Sequence, residues 1–403
     1  MKKVEFTRRS FLGTLSALGL ASTAEFASVA AQENAGPQLT PAPYTPFSDR
    51  KIRVGLVGYG VCQFSAQFEF QHHPNFEIAA VSDLIPERCS ALSEVVHCEK
   101  TYPSLEELVK DDSIEAVFLA TDAPSHARHA ILALEHGKHV ATAVPAFFGN
   151  YEDAEKLLEC VRKNRGLVYA MFETSTFHAD LYAMKQIYAA GGFGRILYSE
   201  GEYCHSRDPK LPPIDSYNGW RKNMPPMWYV THASAYYVGV TGQRLVDVSC
   251  EGIPYSDFDK PAEDPTGNPF SSEIGLFRTQ EKGLARIMVS PSYGTYLEAG
   301  RVRGEIGGYD EFTRKYVGTD DGKRIVKKLG NTILKPELPP GVAPGGHGES
   351  HGYLCHDFAQ AIINKTAPNV DIIAALNMTA PGWFAHQSAL KDGETMTIPE
   401  FKL

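Results

Sequence analysis

The sequence lacks the features that would assign it to several specialised classes of protein. Its 7 cysteines are scattered and include no Cys-x-x-Cys pair, so neither a disulfide framework nor a cysteine zinc site is indicated. Basic residues are not in excess: 39 lysines and arginines stand against 48 aspartates and glutamates, which gives a formal net charge of -9. Because the sequence has no stripe of basic residues that could follow a phosphate backbone, we do not expect a nucleic-acid partner.

A long uninterrupted apolar run is also missing. The stretch from Phe11 to Ala31 is broken by glycines and by Glu25, so it is too short to span a bilayer well. It follows the letters TRRSFL (7–12), which resemble a twin-arginine export leader. We therefore predict a leader over residues 1–31, recognised by the Tat export machinery, and a periplasmic protein. A membrane anchor and a disordered tail remain the alternatives.

The remaining chain is long enough for two ordinary domains. Residues 32–50 carry four prolines and are predicted to form a linker without a core of its own. Beyond it, a hydrophobic content of 43% and a charged content of 22% are typical of globular proteins. Because the twin-arginine route carries folded proteins, a nucleotide cofactor would be loaded before export and then held tightly.

A dinucleotide-binding pattern opens the folded part of the chain. The apolar run 51–57 ends in Gly58-Tyr59-Gly60, a helix is predicted from Val61 to about His72, and a second strand, Phe76 to Ser82, ends in Asp83. Gly58 would permit the tight turn, and Gly60 would let the backbone approach a pyrophosphate at the helix N-terminus. Asp83 would accept from the ribose hydroxyls and so favour NAD over NADP. The third glycine of the motif is replaced by Gln63.

The alternation of strands and helices continues to the end of this domain. Strands are predicted at 115–121 and 138–142, and helices at 127–136 and 151–165, the last with an apolar face. This order predicts a doubly wound parallel sheet over residues 51–173.

Several of these segments resemble the glucose–fructose oxidoreductase/inositol dehydrogenase/MocA (Gfo/Idh/MocA) family. The similarity is carried by Val54 to Gly60, Asp83, the run 120–126 and the run 133–140. It implies an α+β second domain over residues 174–403 with an open, mostly antiparallel sheet, and a homo-oligomer formed through that sheet. It also implies cofactor contacts from further residues of the first domain: Tyr59, Thr121, Asp122, His126 and Pro145.

The chain departs from the family at one important turn. The family usually has Glu-Lys-Pro after the fifth strand, and its lysine assists the substrate chemistry. Here the positions are Ala143, Val144 and Pro145, so both ionisable groups are absent. An ordinary sugar-dehydrogenase mechanism is therefore in doubt.

The stretch 217–242 is the richest in chemistry. Trp228 and Arg221 are candidates for binding a sugar, whose C–H faces pack on aromatic rings. His232 occupies the position of a family histidine, and Tyr229-x-x-His232 resembles a pair in the NAD-dependent glycoside hydrolases of the same superfamily. That resemblance implies transient oxidation at C3, elimination, addition of water and re-reduction. His232 would take the C3 hydroxyl proton and Tyr229 would act on the C2 proton. A structural histidine is the alternative.

A second cluster lies at Gly345 to Gly352. His347 and His351 are predicted to contact substrate, with a metal site and a helix cap as alternatives. Glu173, which ends the predicted last strand of the first domain, is a further candidate for substrate contact.

Three functional interpretations remain open. The first is a carbohydrate oxidoreductase with tightly bound NAD. The second is a glycoside hydrolase or lyase with a closed redox cycle. The third is a sugar-binding protein that retains NAD only for structure.

Overall fold

The computed structural model describes residues 42–205, 217–257, 266–292, 296–320, 323–328 and 335–403. The predicted leader and most of the predicted linker lie outside this part of the chain. Within the described residues, no helix combines the length and apolar character needed to cross a membrane.

The first domain is built on a six-stranded sheet in the order β3-β2-β1-β4-β5-β6, with every neighbouring pair parallel. Its central strands β1 and β4 are apolar except for Arg53, because helices cover both faces. This confirms the predicted doubly wound sheet. The strands are β1 Ile52–Val57, β2 Phe76–Ser82, β3 Thr101–Tyr102, β4 Ala116–Leu119, β5 His139–Thr142 and β6 Tyr169–Met171.

Of the three helices predicted in this domain, the second and third are confirmed, and the helices Pro86–Val95 and Leu105–Leu108 were not predicted. The predicted helix from Val61 to His72 is wrong in length, because only Phe64–Gln67 is helical. Gln63 and Glu69 flank it with φ values of 50° and 65°, a left-handed conformation that no α-helix contains. The helices are α1 Phe64–Gln67, α2 Pro86–Val95, α3 Leu105–Leu108, α4 His126–Glu135 and α5 Glu152–Lys163.

The second domain is a nine-stranded sheet in the order β14-β13-β12-β11-β7-β10-β9-β8-β15. All its neighbouring pairs are antiparallel except β7 and β10, which confirms the predicted open, mostly antiparallel sheet. The strands are β7 Ile196–His205, β8 Leu245–Pro254, β9 Phe270–Thr279, β10 Leu284–Ser290, β11 Tyr296–Gly304, β12 Gly307–Asp310, β13 Lys315–Asp320, β14 Lys323–Lys328 and β15 Met396–Thr397.

One face of this sheet is covered by helices and the other is open. The buried helix α10, Ile372–Ala389, packs across β8 and reaches back to β6 of the first domain. The open face carries Glu200 and Glu202, which pair with Arg286 of the neighbouring strand. The other helices are α6 Ala179–Ala189, α7 Thr231–Ser234, α8 Val238–Thr241 and α9 His351–Asn364.

Two glycines let the covering segment approach the sheet closely. Gly201 of β7 lies opposite Gly300 of β11. A Cβ atom on Gly201 would stand 2.0 Å from the carbonyl oxygen of Ala233, and one on Gly300 would stand 2.4 Å from the Tyr236 ring. The absence of both side chains therefore lets the segment that carries His232 lie directly against β7 and β11.

The end of the predicted linker is tied to the first domain. Residues 42–50 form no helix or strand, but the side-chain amide of Asn75 donates to the carbonyls of Ser48 and Arg50 at 2.8 and 2.9 Å. Phe47 packs on the core of the first domain. All seven cysteines are free thiols, and six of them are buried.

Candidate active site

A cleft of about 1050 Å³, including solvent at its mouth, lies at the carboxyl ends of β1, β2 and β4 and is bordered by residues of the second domain. Gly58 has a φ of 93°, and a Cβ atom there would stand 2.5 Å from the carbonyl oxygen of Ala120. Gly60 differs, because the nearest atom to its added Cβ is an Arg88 nitrogen at 4.0 Å. Nothing in the protein itself fills that space, so the turn fits a bound dinucleotide phosphate.

Gln63, which replaces the third glycine of the motif, adopts a backbone conformation that favours glycine. Gln63 adopts a left-handed conformation with a φ of 50°, and its amide donates to the carbonyl of Gly60 at 3.0 Å. The turn therefore keeps its shape at a cost in backbone strain, on the order of 1 kcal/mol.

Asp83 anchors the glycine-rich turn. One carboxylate oxygen accepts from the Tyr59 amide at 2.6 Å and the other accepts from the Ile85 amide at 2.8 Å. The Tyr59 ring is only 9% exposed and belongs to the core, so its backbone rather than its side chain faces the site. Asp83 lines the cleft, where a ribose hydroxyl would be within reach of its remaining lone pairs.

The residues predicted around the fourth strand form the opposite wall. Thr121, Asp122 and His126 line the cleft. The buried His126 ring lies 2.8 Å from the Pro145 carbonyl and 3.1 Å from the Thr121 carbonyl, and burial lowers the pKa of this imidazole. A neutral imidazole can donate to only one of these two carbonyl groups. Because its ring contacts both, His126 connects the end of β4 with the end of β5. Pro145 follows a cis peptide bond, and Ala143 and Val144 present only aliphatic groups to the cleft.

The centre of the second-domain site is a buried imidazole–carboxylate pair. His232 Nδ1 lies 2.7 Å from Glu173 Oε1, and the two side chains are 7% and 0% exposed. Burial alone would lower the pKa of His232 and raise that of Glu173, but their mutual attraction outweighs burial in both. His232 is therefore held protonated and Glu173 ionised, with Nδ1 donating to the carboxylate. Sequence reasoning named both residues but not their contact.

Two tyrosines flank the imidazole. The ring centroids of Tyr203 and Tyr229 lie 4.6 and 5.7 Å from that of His232. Burial raises the pKa of both phenols, and for Tyr229 it outweighs the opposing effect of Arg221. At neutral pH both hydroxyls keep their protons and can donate hydrogen bonds.

Four residues of this region were not predicted: Ser175, His178, Tyr203 and Glu298. Glu298 of β11 lies directly opposite Tyr203 of β7, so both point to the same face of the sheet. The alternation Tyr296-x-Glu298-x-Gly300 was a strand signal, but the pairing partner is nearly a hundred residues distant along the chain.

Arg221 and Trp228 were both predicted to contact substrate, but they occupy different places. The Arg221 guanidinium lies over the rings of Trp220 and Tyr229, at 4.3 and 5.5 Å from their centroids, and its Nη2 is 4.0 Å from the Cys62 sulfur. It therefore faces the glycine-rich turn. Trp228 packs instead on Phe148, away from the cleft wall.

His347 and His351 meet at the junction of the domains. Their rings are joined by a 3.0 Å contact from His347 Nδ1 to His351 Nε2. Three successive residues, from His347 to Glu349, have positive φ values, and a Cβ atom on Gly348 would collide with the His178 ring at 2.3 Å. His351 is 1% exposed and packs on Phe68. Of the two histidines, only His347 is near the His232 centre. Burial lowers the pKa of His347, and the charge of His232 lowers it further. The described residues contain no group of three metal-binding side chains.

A parallel dinucleotide sheet, a cleft at its carboxyl edge and an open-faced second sheet define a two-domain NAD-binding oxidoreductase fold. Residues 52–172 match the family model described as "Oxidoreductase family, NAD-binding Rossmann fold". The first domain therefore matches the Gfo/Idh/MocA oxidoreductase family that the sequence resemblance predicted.

Curated relatives and solved structures extend the comparison. The chain is 31% identical over 208 residues to glycosyl hydrolase family 109 protein 1 of Bacteroides fragilis, an alignment covering 45% of this chain and 43% of that protein. It is 24% identical over 385 residues to a glycosyl hydrolase family 109 protein of Saccharopolyspora erythraea, covering 87% and 83%. Levoglucosan dehydrogenase in complex with NADH and levoglucosan superposes with a TM-score of 0.70 at 18% identity, covering 87% of this chain and 100% of that one. This last likeness shows the fold alone.

Proposed function

We propose that the protein is an NAD-dependent glycoside hydrolase that oxidises, cleaves and re-reduces its sugar in a closed cycle. The observation that carries this proposal is the buried Glu173–His232 pair beside a dinucleotide cleft whose wall, at Ala143 and Val144, has no ionisable group. Similarity along most of the chain to a protein named glycosyl hydrolase family 109 supports it. The same similarity favours the closed cycle over net oxidation.

The protein's own residues would bind the sugar and handle its protons. A bound NAD would supply the hydride acceptor that later returns the hydride. Protonated His232 would donate to a substrate oxygen on which negative charge develops, and Glu173 would keep that ring charged and oriented. Tyr229 would donate a second hydrogen bond, so its predicted role as the base at C2 is replaced here by that of a donor. For the same reason His232 could accept the C3 proton only after it had first released its own.

The first test is to denature the purified protein, quantify released NAD(H), and assay it on 4-nitrophenyl α- and β-glycosides of hexoses and N-acetylhexosamines. We expect close to one NAD(H) per chain, and release of 4-nitrophenol without added cofactor. Turnover that requires free NAD and yields an oxidised sugar would instead identify a dehydrogenase. Retained NAD without any turnover would favour the sugar-binding interpretation.

We further propose that the protein is exported to the periplasm and assembles as a homo-oligomer through the open face of the second sheet. The leader sequence supports export, and the exposed leucines on β7, β9 and β10 (Leu197, Leu276 and Leu284) support assembly. Exchanging Arg8 and Arg9 for lysines should retain the protein in the cytoplasm. Fractionation that finds the variant and the wild type in the same compartment would contradict export by this route.

A further inference from the structure

A second carboxylate, Glu298, lies beside the His232–Glu173 pair. Its side chain is 14% exposed and lies 3.1 Å from the Nδ1 atom of His178. It also accepts a hydrogen bond from the hydroxyl of Ser175. Because Glu298 stands opposite Tyr203, whose ring packs on His232, the carboxylate belongs to the same face of the site.

Ser175 connects the two carboxylates. Its hydroxyl oxygen is 2.8 Å from Glu173 Oε1 and 3.1 Å from His232 Nδ1, in addition to its contact with Glu298. A hydroxyl has one proton to donate, so it cannot satisfy both carboxylates at once. The Glu173 side chain is 0% exposed and pairs with His232, whereas that of Glu298 is 14% exposed, so Glu298 is the carboxylate that a substrate can reach.

The proposed reaction needs a group that accepts a proton from carbon, and the imidazole and the two phenols at the centre of the site are poorly suited to it. His232 is already protonated, and burial raises the pKa of Tyr203 and of Tyr229. Ala143 and Val144 have no ionisable group.

We propose that Glu298 is the catalytic base that removes the C2 proton of the oxidised sugar, with His178 orienting it. This inference rests on the proposed glycosidase function and names a residue for its elimination step. Two observations carry it: the carboxylate shares a face and a serine bridge with the His232 centre, and His178 Nδ1 fixes one of its oxygens.

The step balances without a further reactant. After oxidation at C3, the C2–H bond breaks and its proton goes to Glu298, while the electron pair forms a C1=C2 double bond. The C1–O bond breaks with that movement, and the departing oxygen takes its electrons and a proton from His232. The products are an unsaturated ketone and the free alcohol, and no electron is gained or lost by the protein.

The test uses a substrate that bypasses oxidation, a 4-nitrophenyl 3-keto-hexopyranoside, with the NAD-loaded protein. Glu298→Gln should release 4-nitrophenol at least about 100-fold more slowly than wild type, with KM changed by less than about threefold. It should also stop incorporation of deuterium at C2 in D2O. Reduction of bound NAD by an ordinary glycoside, read at 340 nm, should remain.

Glu202→Gln is the matched control, because Glu202 is a 22% exposed carboxylate on the neighbouring strand and faces the other side of the sheet. It should leave ketoglycoside cleavage unchanged. Glu298→Asp keeps a carboxylate and should retain measurable C2 exchange. The inference is overturned if a folded, NAD-loaded Gln variant cleaves the ketoglycoside at the wild-type rate, or if the Asp variant is no better than the Gln variant. If the wild type cleaves ketoglycosides but not glycosides, the proposed glycosidase function is rejected, while the role of Glu298 as the base in ketoglycoside cleavage still stands. If it cleaves neither, both fail.

Discussion

Replacing His232 with asparagine is expected to reduce glycoside turnover by at least about 100-fold while the protein keeps its NAD. Asparagine retains a hydrogen bond to Glu173 but carries neither the positive charge nor the proton that the imidazole presents to the substrate. The measurement is 4-nitrophenol release per NAD-loaded chain. Because His232 is not among the residues that line the dinucleotide cleft, NAD content after denaturation should equal that of the wild type.

The chain provides a matched control for this substitution. His386 pairs with Glu273 at the same 2.7 Å, with side-chain exposures of 5% and 0%, but lies in α10 beneath the sheet. Glu273 also accepts from the Met227 amide at 2.8 Å, so this pair supports the turn that leads to Tyr229. His386→Asn should lower the melting temperature yet keep turnover per folded chain within about threefold. Equal losses of turnover in both variants would assign His232 a structural role.

The His232–Glu173 pair makes the stability of the protein depend on pH. The pKa of His232 is raised in the folded protein, so its contribution to the free energy of unfolding is complete below its unfolded pKa and is lost as pH rises through the folded value. The pKa of Glu173 is lowered, so its contribution is complete above its unfolded pKa and is lost as pH falls through the folded value. The melting-temperature difference between wild type and His232→Asn should therefore be largest near neutral pH and shrink toward both extremes.

The first domain could be predicted from the sequence because its signals are local. Buried parallel strands are continuous apolar runs, and the helix Glu152–Lys163 shows its buried face at Ala154, Leu157, Leu158 and Val161. The first helix failed because two residues without glycine's freedom, Gln63 and Glu69, adopt left-handed conformations that the rest of the turn imposes. Propensity does not report such tertiary constraints.

The site was predicted in parts because its contacts join distant segments. Glu173 and His232 are 59 residues apart, and Glu298 is 123 residues from the serine it contacts. A single sequence shows that each residue is polar or titratable. Their pairing depends on the register of β7 with β11 and on the close approach of the covering segment that Gly201 and Gly300 permit. The protonation state of His232 depends on that pairing. The catalytic roles that the sequence predicts for His232 and Tyr229 stay predictions, and we propose that both residues act as donors.

Replacing Arg221 with methionine is expected to weaken NAD retention by about 10- to 100-fold. The guanidinium lies against Cys62 of the glycine-rich turn, held by the rings of Trp220 and Tyr229, where a cofactor pyrophosphate would carry negative charge. A charge-assisted hydrogen bond contributes about 1.5–3 kcal/mol, and each 1.4 kcal/mol is about tenfold in a dissociation constant. The measurement is NAD content per chain after prolonged dialysis, with the dissociation constant of the apoprotein by calorimetry.

Two further variants decide the role of Arg221: its conservative replacement by lysine, and the removal of an arginine that lies elsewhere, Arg286. Arg221→Lys keeps the charge but not the planar fork, so it should retain NAD at an intermediate level that falls as salt is added. Arg286→Met removes an arginine from the open face of the sheet, where it pairs with Glu200 and Glu202, and should leave NAD content unchanged. If Arg221→Met keeps its NAD but raises KM for the glycoside, Arg221 contacts the substrate, as the sequence predicted. If it loses NAD, a residue of the second domain holds the cofactor of the first, and dissociation would require the two domains to separate at this contact.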